Sequence, residues 1–324
     1  MTADNYPFSI PHSRKDAILR HGISMIKLNN TFYDEKAKAR LVIECEEAFE
    51  ERLDEVCSEI IQSGAKIIAL SGPTCSGKTT TAAKLTSELT RNGAEVHLVS
   101  IDNFFRERDC LDREAIMAQK SVDYDSVDAI DLALLENKVR SIIAGEPCEL
   151  PVYDFTLGRC THTEQVDPNE HSVFVFEGIQ AIYPEVTRLF GDSYKSVYIC
   201  VEDDIEVGGA YFGKRELRLL RRLIRDYNFR AASPEFTFFL WRSVAANEDR
   251  SILPFAETAD IRINSFMAYE IYIMKSVIPE LLSLVPDTNP YYPKAYEVMR
   301  KFEGIAEISP ELVPKNSLLR EFIG

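Results

Sequence analysis

Apolar positions along the chain follow two alternating patterns. Across residues 32–63, Leu41, Ile43, Ala48, Phe49, Leu53, Val56, Ile60 and Ile61 recur at near-helical spacing in an otherwise acidic stretch. That predicts one long helix packed on a core. From residue 64 onward, short apolar runs alternate with helical periodicity. The runs at 66–71, 95–101, 172–176 and 196–201 predict strands, with a further strand at 260–263. Helices are predicted over 79–92, closed by Asn92-Gly93, and over 129–144, ended near Gly145. A loop and helical stretch separates them from one another after residue 101. Residues 150–153 predict a short strand with a hairpin partner near 161–166, and the distal third reads as mostly helical. Near-continuous apolar strands between helices predict an α/β fold: a mostly parallel sheet covered by helices on both faces. Such sheets bind ligands at the carboxyl ends of their strands. Residues 1–31 are expected to be irregular, and no repeat, low-complexity tract or linker rich in Pro, Gly or Ser interrupts the chain.

Composition narrows the picture. With 324 residues, 45% of them hydrophobic, the chain has ample material for a buried core. Its formal net charge is −15. Phosphate contacts need clustered Lys and Arg, so nucleic-acid handling is disfavoured. The seven cysteines (Cys45, Cys57, Cys75, Cys110, Cys148, Cys160 and Cys200) are odd in number and contain no C-x-x-C pair. Free thiols in a reducing cytoplasm are the simple reading, and a zinc site is not supported. No apolar run is long enough to cross a membrane, and residues 1–11 lack the apolar core of a secretion signal.

One stretch carries chemistry outright. The strand at 66–71 runs into Gly72-Pro73-Thr74-Cys75-Ser76-Gly77-Lys78-Thr79-Thr80, and a helical pattern follows. This is the spacing G-x-x-x-x-G-K-[ST] of a phosphate-binding P-loop in its proper strand–loop–helix context, so the fold class becomes a P-loop NTPase. Glycines let the backbone curl around an anion, N–H groups and the helix dipole face the phosphates, and Gly72, Thr74, Cys75, Ser76, Gly77, Lys78, Thr79 and Thr80 form the candidate cradle. Lys78 would reach the β- and γ-phosphates, and the Thr79 hydroxyl would ligate Mg²⁺.

Three strand ends then supply candidates. Asp102 follows the second strand. It either caps the next helix or takes a proton from a hydroxyl that attacks the γ-phosphate. Glu177 follows the strand at 172–176. It is either a solvated loop residue or a carboxylate that holds Mg²⁺. Residues 154–159 follow the strand at 150–153. Downstream, Lys214, Arg215, Arg218, Arg221, Arg222 and Arg225 make a basic helix in an acidic protein. Arg218, Arg221 or Arg222, and Arg225 share one face. That face is either solvated or a lid that neutralises the transferring phosphoryl group.

The set of motifs resembles the uridine kinase / phosphoribulokinase family of P-loop kinases. The matching pieces are residues 72–80, Ser100-Ile101-Asp102-Asn103-Phe104-Phe105, Pro151-Val152-Tyr153-Asp154-Phe155, Phe176-Glu177-Gly178-Ile179 and Arg221-Arg222-Leu223-Ile224-Arg225-Asp226. The distal third, ending in Val313-Pro314-Lys315-Asn316-Ser317-Leu318-Leu319-Arg320-Glu321-Phe322-Ile323-Gly324, is similar to a bacterial uridine kinase-like branch often fused behind a synthetase-like region. The resemblance covers roughly residues 64–324. Residues 1–63 are too short for the fused domains, so a stand-alone version is expected: an N-terminal extension over 1–63, and a kinase domain over 64–324 with a lid near 205–255.

The resemblance implies ATP and Mg²⁺ as cofactors and a small-molecule acceptor, a nucleoside first of all. It makes Asp102 the general base, Lys78 and Thr79 the phosphate and metal ligands, and Glu177 the second acidic metal group. Asp125 would hold the ribose hydroxyls, Tyr153 and Phe155 would wall the base with Arg159 nearby, and Arg218, Arg222 and Arg225 would be lid arginines. It also implies a homo-oligomer, though no interface is legible in the chain. Two departures touch the acceptor pocket. The segment after Tyr153-Asp154-Phe155 has no His until His162, and Phe105 stands where the family usually has Tyr. Gly208-Gly209 reads as a hinge for the lid. Three functions follow: a uridine or cytidine kinase, a kinase of the same fold acting on another hydroxyl compound, and a nucleotide-binding regulatory module. A GTPase switch is disfavoured because Asn137-Lys138 is followed by Val139-Arg140, not by the guanine-reading motif.

Overall fold

A computed structural model of the chain describes residues 25–32, 34–117 and 122–324. In chain order the elements are β1 (Met25–Leu28), α1 (Glu35–Ser63), β2 (Ile67–Ser71), α2 (Lys78–Arg91), β3 (Glu95–Ser100), α3 (Arg108–Met117), α4 (Leu132–Ala144), β4 (Cys148–Asp154), β5 (Arg159–Val166) and β6 (Ser172–Glu177). They continue with α5 (Pro184–Thr187), β7 (Tyr194–Cys200), β8 (Asp204–Val207), β9 (Ala210–Phe212), α6 (Lys214–Arg230), α7 (Pro234–Asn247), α8 (Leu253–Ala256), β10 (Ile261–Asn264), α9 (Glu270–Leu282), α10 (Tyr292–Lys301) and α11 (Arg320–Ile323).

The central sheet has the order β10-β7-β2-β6-β3, and every pairing in it is parallel. β2 is buried along its whole length, as a strand covered on both faces must be. Its side chains alternate between two cores. Ile68 and Leu70 join the core formed with α1, α2, α6 and α9, while Ile67 and Ala69 join the one formed with α4. The expected α/β architecture is therefore present.

Local chemistry explains most element ends. Asp34 caps α1 by accepting from the Ala37 N–H at 2.8 Å, and Gly64 closes it at φ 67°. The helix predicted over 129–144 starts later, at Leu132, because Asp131 accepts from the Leu134 N–H at 2.9 Å and fixes the cap there. Ser233 and Pro234 start α7 in the same way. Of the helix-1 residues chosen from spacing, Leu41, Phe49, Leu53, Val56 and Ile60 are buried, but Ile43, Ala48 and Ile61 are exposed. Val42, Cys45 and Cys57 are buried instead, so the apolar face is turned by one position.

Two expectations change. The expected irregular stretch 1–31 lies largely outside the described residues, but Met25–Leu28 is a strand that pairs in parallel with β8. Gly208-Gly209 is no hinge. Both residues have positive φ, 58° and 81°, and they form the two-residue turn joining antiparallel β8 and β9. Tight hairpins of this kind need positive φ at both central residues, which glycine supplies without strain. α1 packs its buried face into the same core as β2 and α2, and Lys84 of α2 pairs with Glu50.

Candidate active site

The site is assembled at the carboxyl ends of three adjacent strands. β2 ends at Ser71 and opens into the P-loop. β3 ends at Ser100, just before Asp102. β6 ends at Glu177, which lies opposite Leu70 on one side and Ser100 on the other. One pleat register therefore brings the loop, Asp102 and Glu177 together.

The loop has the shape that an anion requires. Cys75 and Gly77 take left-handed backbone conformations, at φ 58° and 91°. A Cβ on Gly72 would come within 2.2 Å of the Ile199 carbonyl oxygen, so only glycine fits there. α2 begins at Lys78 with no side chain capping its first turn, which leaves helix N–H groups available to an anion. Ser76 Oγ is buried without a hydrogen-bond partner among the described residues. Lys78 Nζ folds back to donate to the carbonyls of Gly72, at 2.8 Å, and Pro73, at 3.3 Å. Thr79 is exposed and Thr80 half-buried. An orphaned hydroxyl, an uncapped helix start and a lysine resting on carbonyls together fit a polyphosphate. Exposed Thr79 with Glu177 beside the loop fits a hard cation.

Three half-buried carboxylates face this space. Burial raises the proton affinity of Asp102, Lys78 opposes that shift, and Asp125 adds to it. Burial likewise raises Asp125, against a hydrogen bond from Asn247, with Asp123 raising it further. Burial raises Glu177, Lys78 lowers it, and Asp102 and Glu321 raise it. Of the two readings of Asp102, capping is answered locally: Ser100 Oγ accepts from the Asp102 N–H at 3.3 Å and caps the short 3₁₀ turn Ile101–Phe104. Burial also pushes the Cys75 thiol up, so it stays protonated inside the loop.

Close in sequence to Asp102 and Asp125, Phe105 and Tyr124 belong to an aromatic group. Phe105 makes edge contacts with Tyr124, Tyr153 and Phe155 at centroid distances of 5.7, 5.9 and 6.2 Å. Tyr153 is buried, and its N–H donates to Asn103 Oδ1 at 3.1 Å, while Phe155 is exposed. Phe105 is thus the hub of the wall to which Tyr153 and Phe155 were assigned. Arg159 is exposed at the start of β5, opposite Asp154 in the hairpin register. Arg108 holds the hairpin tip instead: its N–H donates to the Gly158 carbonyl at 2.8 Å, and its guanidinium donates to the carbonyls of Phe155 and Thr156. His162 lies on the exposed strand of the hairpin, paired with Val152.

Asp125 is held from two directions. Tyr183 Oη donates to its carbonyl at 3.0 Å, and Gln180 Nε2 to that of Tyr124 at 2.8 Å. From the other side, Asn247 Nδ2 reaches Asp123 Oδ1 at 3.2 Å and Asp125 Oδ2 at 3.5 Å, and Arg250 pairs with Asp123 at 2.8 Å. Asn247 and Arg250 lie where α7 passes into a π-helical turn, Glu248–Ile252, an irregularity that recurs at functional sites.

The basic helix does not present a solvated face. Arg218 and Arg221 are fully buried and Arg222 nearly so. Arg218 pairs with Glu248 at 2.5 Å and donates to the Thr74 carbonyl at 3.2 Å. Arg221 pairs with buried Glu270 at 2.7 Å and donates to the Cys75 carbonyl at 3.3 Å. Arg222 and Arg225 both reach Asp226, at 3.0 and 3.2 Å. Arg218 and Arg221 therefore hold the P-loop backbone from the protein interior, while Arg222 and Arg225 are tied to Asp226. The sequence flags the cluster but not its burial, because the partner acids Glu248 and Glu270 lie 30 and 49 residues downstream.

Comparison with known proteins agrees with this geometry. The model of the Phosphoribulokinase / Uridine kinase family matches residues 67–271. Uridine-cytidine kinase C from Dictyostelium discoideum is 28% identical over 226 residues, covering 67% of this chain and 44% of that protein. The uridine kinase of Lactobacillus helveticus (strain DPC 4571) is 31% identical over 168 residues, 52% of this chain and 70% of that one. The chain thus spans less than half the length of the Dictyostelium enzyme. Among solved structures, D-glycerate 3-kinase from Cryptococcus neoformans var. grubii overlaps with a TM-score of 0.42 at 15% identity, over 66% of this chain and 87% of that one. With its P-loop, its strand-end acids and a family match across more than half its length, the chain belongs to the phosphoribulokinase / uridine kinase family of P-loop kinases.

Proposed function

We propose that this protein transfers the γ-phosphoryl group of ATP to a hydroxyl of a small acceptor, first of all the 5′-hydroxyl of a nucleoside such as uridine or cytidine. The observation that carries this reading is the convergence of Lys78, Asp102, Asp125 and Glu177 beside the P-loop, with the Phe105-centred aromatic group following Asp102 in the chain. The acceptor oxygen bonds to the γ-phosphorus, the bond to the β-phosphate oxygen breaks, ADP leaves, and the hydroxyl proton passes to Asp102. Lys78 leaves its carbonyl rests to neutralise the phosphates. Thr79 and Glu177 would hold Mg²⁺, which supplies charge neutralisation when bound. Asp125 accepts the ribose hydroxyls and the aromatic rings flank the base. Arg222 and Arg225 lie on the helix turn that sends positive charge toward Asp125 and Cys75. Arg218 acts more remotely, by positioning the P-loop through the Thr74 carbonyl. In this reading residues 64–324 supply the kinase machinery, α6 supports the P-loop from the core and does not close over the nucleotide, and the protein works in the cytoplasm.

A second reading, another hydroxyl compound as acceptor, is favoured by one feature. The turn after Tyr153-Asp154-Phe155 is tight, closed by Gly158 at φ 68°, and holds no His. The deciding experiment measures ADP formation with ATP and Mg²⁺ against nucleosides, sugar phosphates and pantothenate. Turnover with uridine or cytidine supports the first reading, and turnover only with another compound moves the protein to the second. ATP binding with no turnover across the panel favours a regulatory module. Asp102→Asn is expected to lower turnover by about 10²–10⁴-fold while ATP still binds. Undiminished turnover in that variant overturns the base assignment.

A further inference from the structure

The end of the chain reaches the P-loop. Leu318 is fully buried against Gly77: a Cβ placed on that glycine would lie 2.3 Å from Leu318 Cδ1. One helical turn further on, Glu321 Oε2 accepts from Thr80 Oγ1 at 3.1 Å. The next residue, Phe322, lays its ring against the Arg221 guanidinium, 5.3 Å from the centroid, and the same guanidinium donates to the Cys75 carbonyl. One short segment therefore touches the loop at Gly77 and Thr80 directly and at Cys75 through a single arginine.

The segment is itself fixed in place. Ser317 Oγ lies 3.1 Å from Tyr269 Oη and accepts from the Leu319 N–H at 3.1 Å. Arg320 donates to the Pro314 and Pro310 carbonyls, and Asn228 Nδ2 donates to that of Phe322 at 3.4 Å. Gly77 is the residue at which the loop turns into α2, and Thr80 lies in the first turn of that helix. Whatever presses on these two positions sets the direction in which the helix N–H groups point.

We propose that residues 317–324 are a structural wall of the nucleotide site, with Leu318 and Glu321 as positioning residues that hold the P-loop in its phosphate-binding shape. The proposal rests on the reading of the loop as an ATP site. Its ligand is a nucleoside triphosphate, and its consequence is coupling: docking of this segment and binding of ATP favour one another, reciprocally. The converse arrangement, in which Glu321 competes with phosphate for the Thr80 hydroxyl, predicts the opposite sign.

The test is ATP affinity, measured by calorimetric titration with Mg²⁺ in the parent, Glu321→Ala, Glu321→Gln and Leu318→Ala, each with its melting midpoint. Glu321 is half-buried, so its variants are expected to fold. Glu321→Ala is expected to weaken ATP binding roughly fivefold, the loss of one charge-assisted hydrogen bond. Glu321→Gln, which keeps an acceptor oxygen, should bind within about twofold of the parent, and Leu318→Ala should lose more than Glu321→Ala. The KM for the acceptor at saturating ATP should not move. In the parent, ATP should slow amide hydrogen exchange across residues 317–323, a readout that needs no mutation. Unchanged or tighter ATP binding in a folded Glu321→Ala, or exchange in the segment indifferent to ATP, overturns the proposal. A parent that does not bind ATP at all sinks the nucleotide reading, and this proposal with it.

Discussion

At the residue scale, the site stores instability. Asp102, Asp125 and Glu177 are each held above their ordinary proton affinity, first of all by burial. A carboxyl whose folded pKa is raised binds its proton better in the folded chain than in the unfolded one. Its contribution to stability is full below the unfolded value, about 4, and is lost as pH rises through the folded value. At neutral pH the ligand-free protein therefore lacks the stabilisation that these groups lend at low pH. Asp102→Asn removes one such titrating group. Its melting midpoint at pH 7 is expected to exceed that of the parent, and the gap should close as pH falls to about 4. Paired thermal melts across that range check it, and a variant that melts lower at pH 7 shows that Lys78 outweighs the burial cost.

At the element scale, α6 is a helix whose place the sequence shows and whose burial it does not. The sequence leaves its arginines two readings, a solvated face or a lid over the transferring phosphoryl group. In the fold, Arg218 and Arg221 are buried and their charges are balanced by Glu248 and Glu270. Removing one partner of such a pair leaves an uncompensated charge in the interior, which costs about 3–5 kcal/mol. Glu270→Ala is expected to lose that much in urea unfolding and to loosen the Cys75 carbonyl that Arg221 holds. A loss under about 1 kcal/mol would mean that the pair is replaceable. The P-loop, by contrast, was legible to the residue, because its function requires a local backbone shape that only a local sequence can encode. Asp102 and Glu177 were legible too, since the ends of apolar strands can be read off the chain. Asn247 and Arg250 were not, because they meet Asp123 and Asp125 across more than 120 residues and carry no motif.

At the scale of the whole molecule, α1 is a full part of the packing. Leu53 and Val56 of α1 are completely buried, in one core with Leu70 of β2 and Leu85 of α2. Tyr269, the residue before α9, further ties Glu46 of α1 to Ser317. Leu53→Ala is expected to cost about 2–5 kcal/mol and to lower a single cooperative transition. Two separate transitions, with only the first one shifted, would show that α1 unfolds independently. Among the described residues, no helix is long and apolar enough to cross a membrane.

What the sequence determined by itself was everything whose cause is local: the strand–loop–helix of the phosphate cradle, the alternation that makes a doubly covered parallel sheet, and the carboxylates that end the strands. What only the tertiary structure decided was everything whose cause is a partner far along the chain. Burial turned a basic helix into a buttress beneath the P-loop. A glycine pair became a hairpin turn, because β8 has both β1 and β9 to pair with. Phe105 became the centre of an aromatic group with Tyr124, Tyr153 and Phe155, and residues 318–321 came to rest on Gly77 and Thr80. Periodicity reports which face of an element is apolar. It does not report which element that face will meet, because that choice is made by the packing of all of them together.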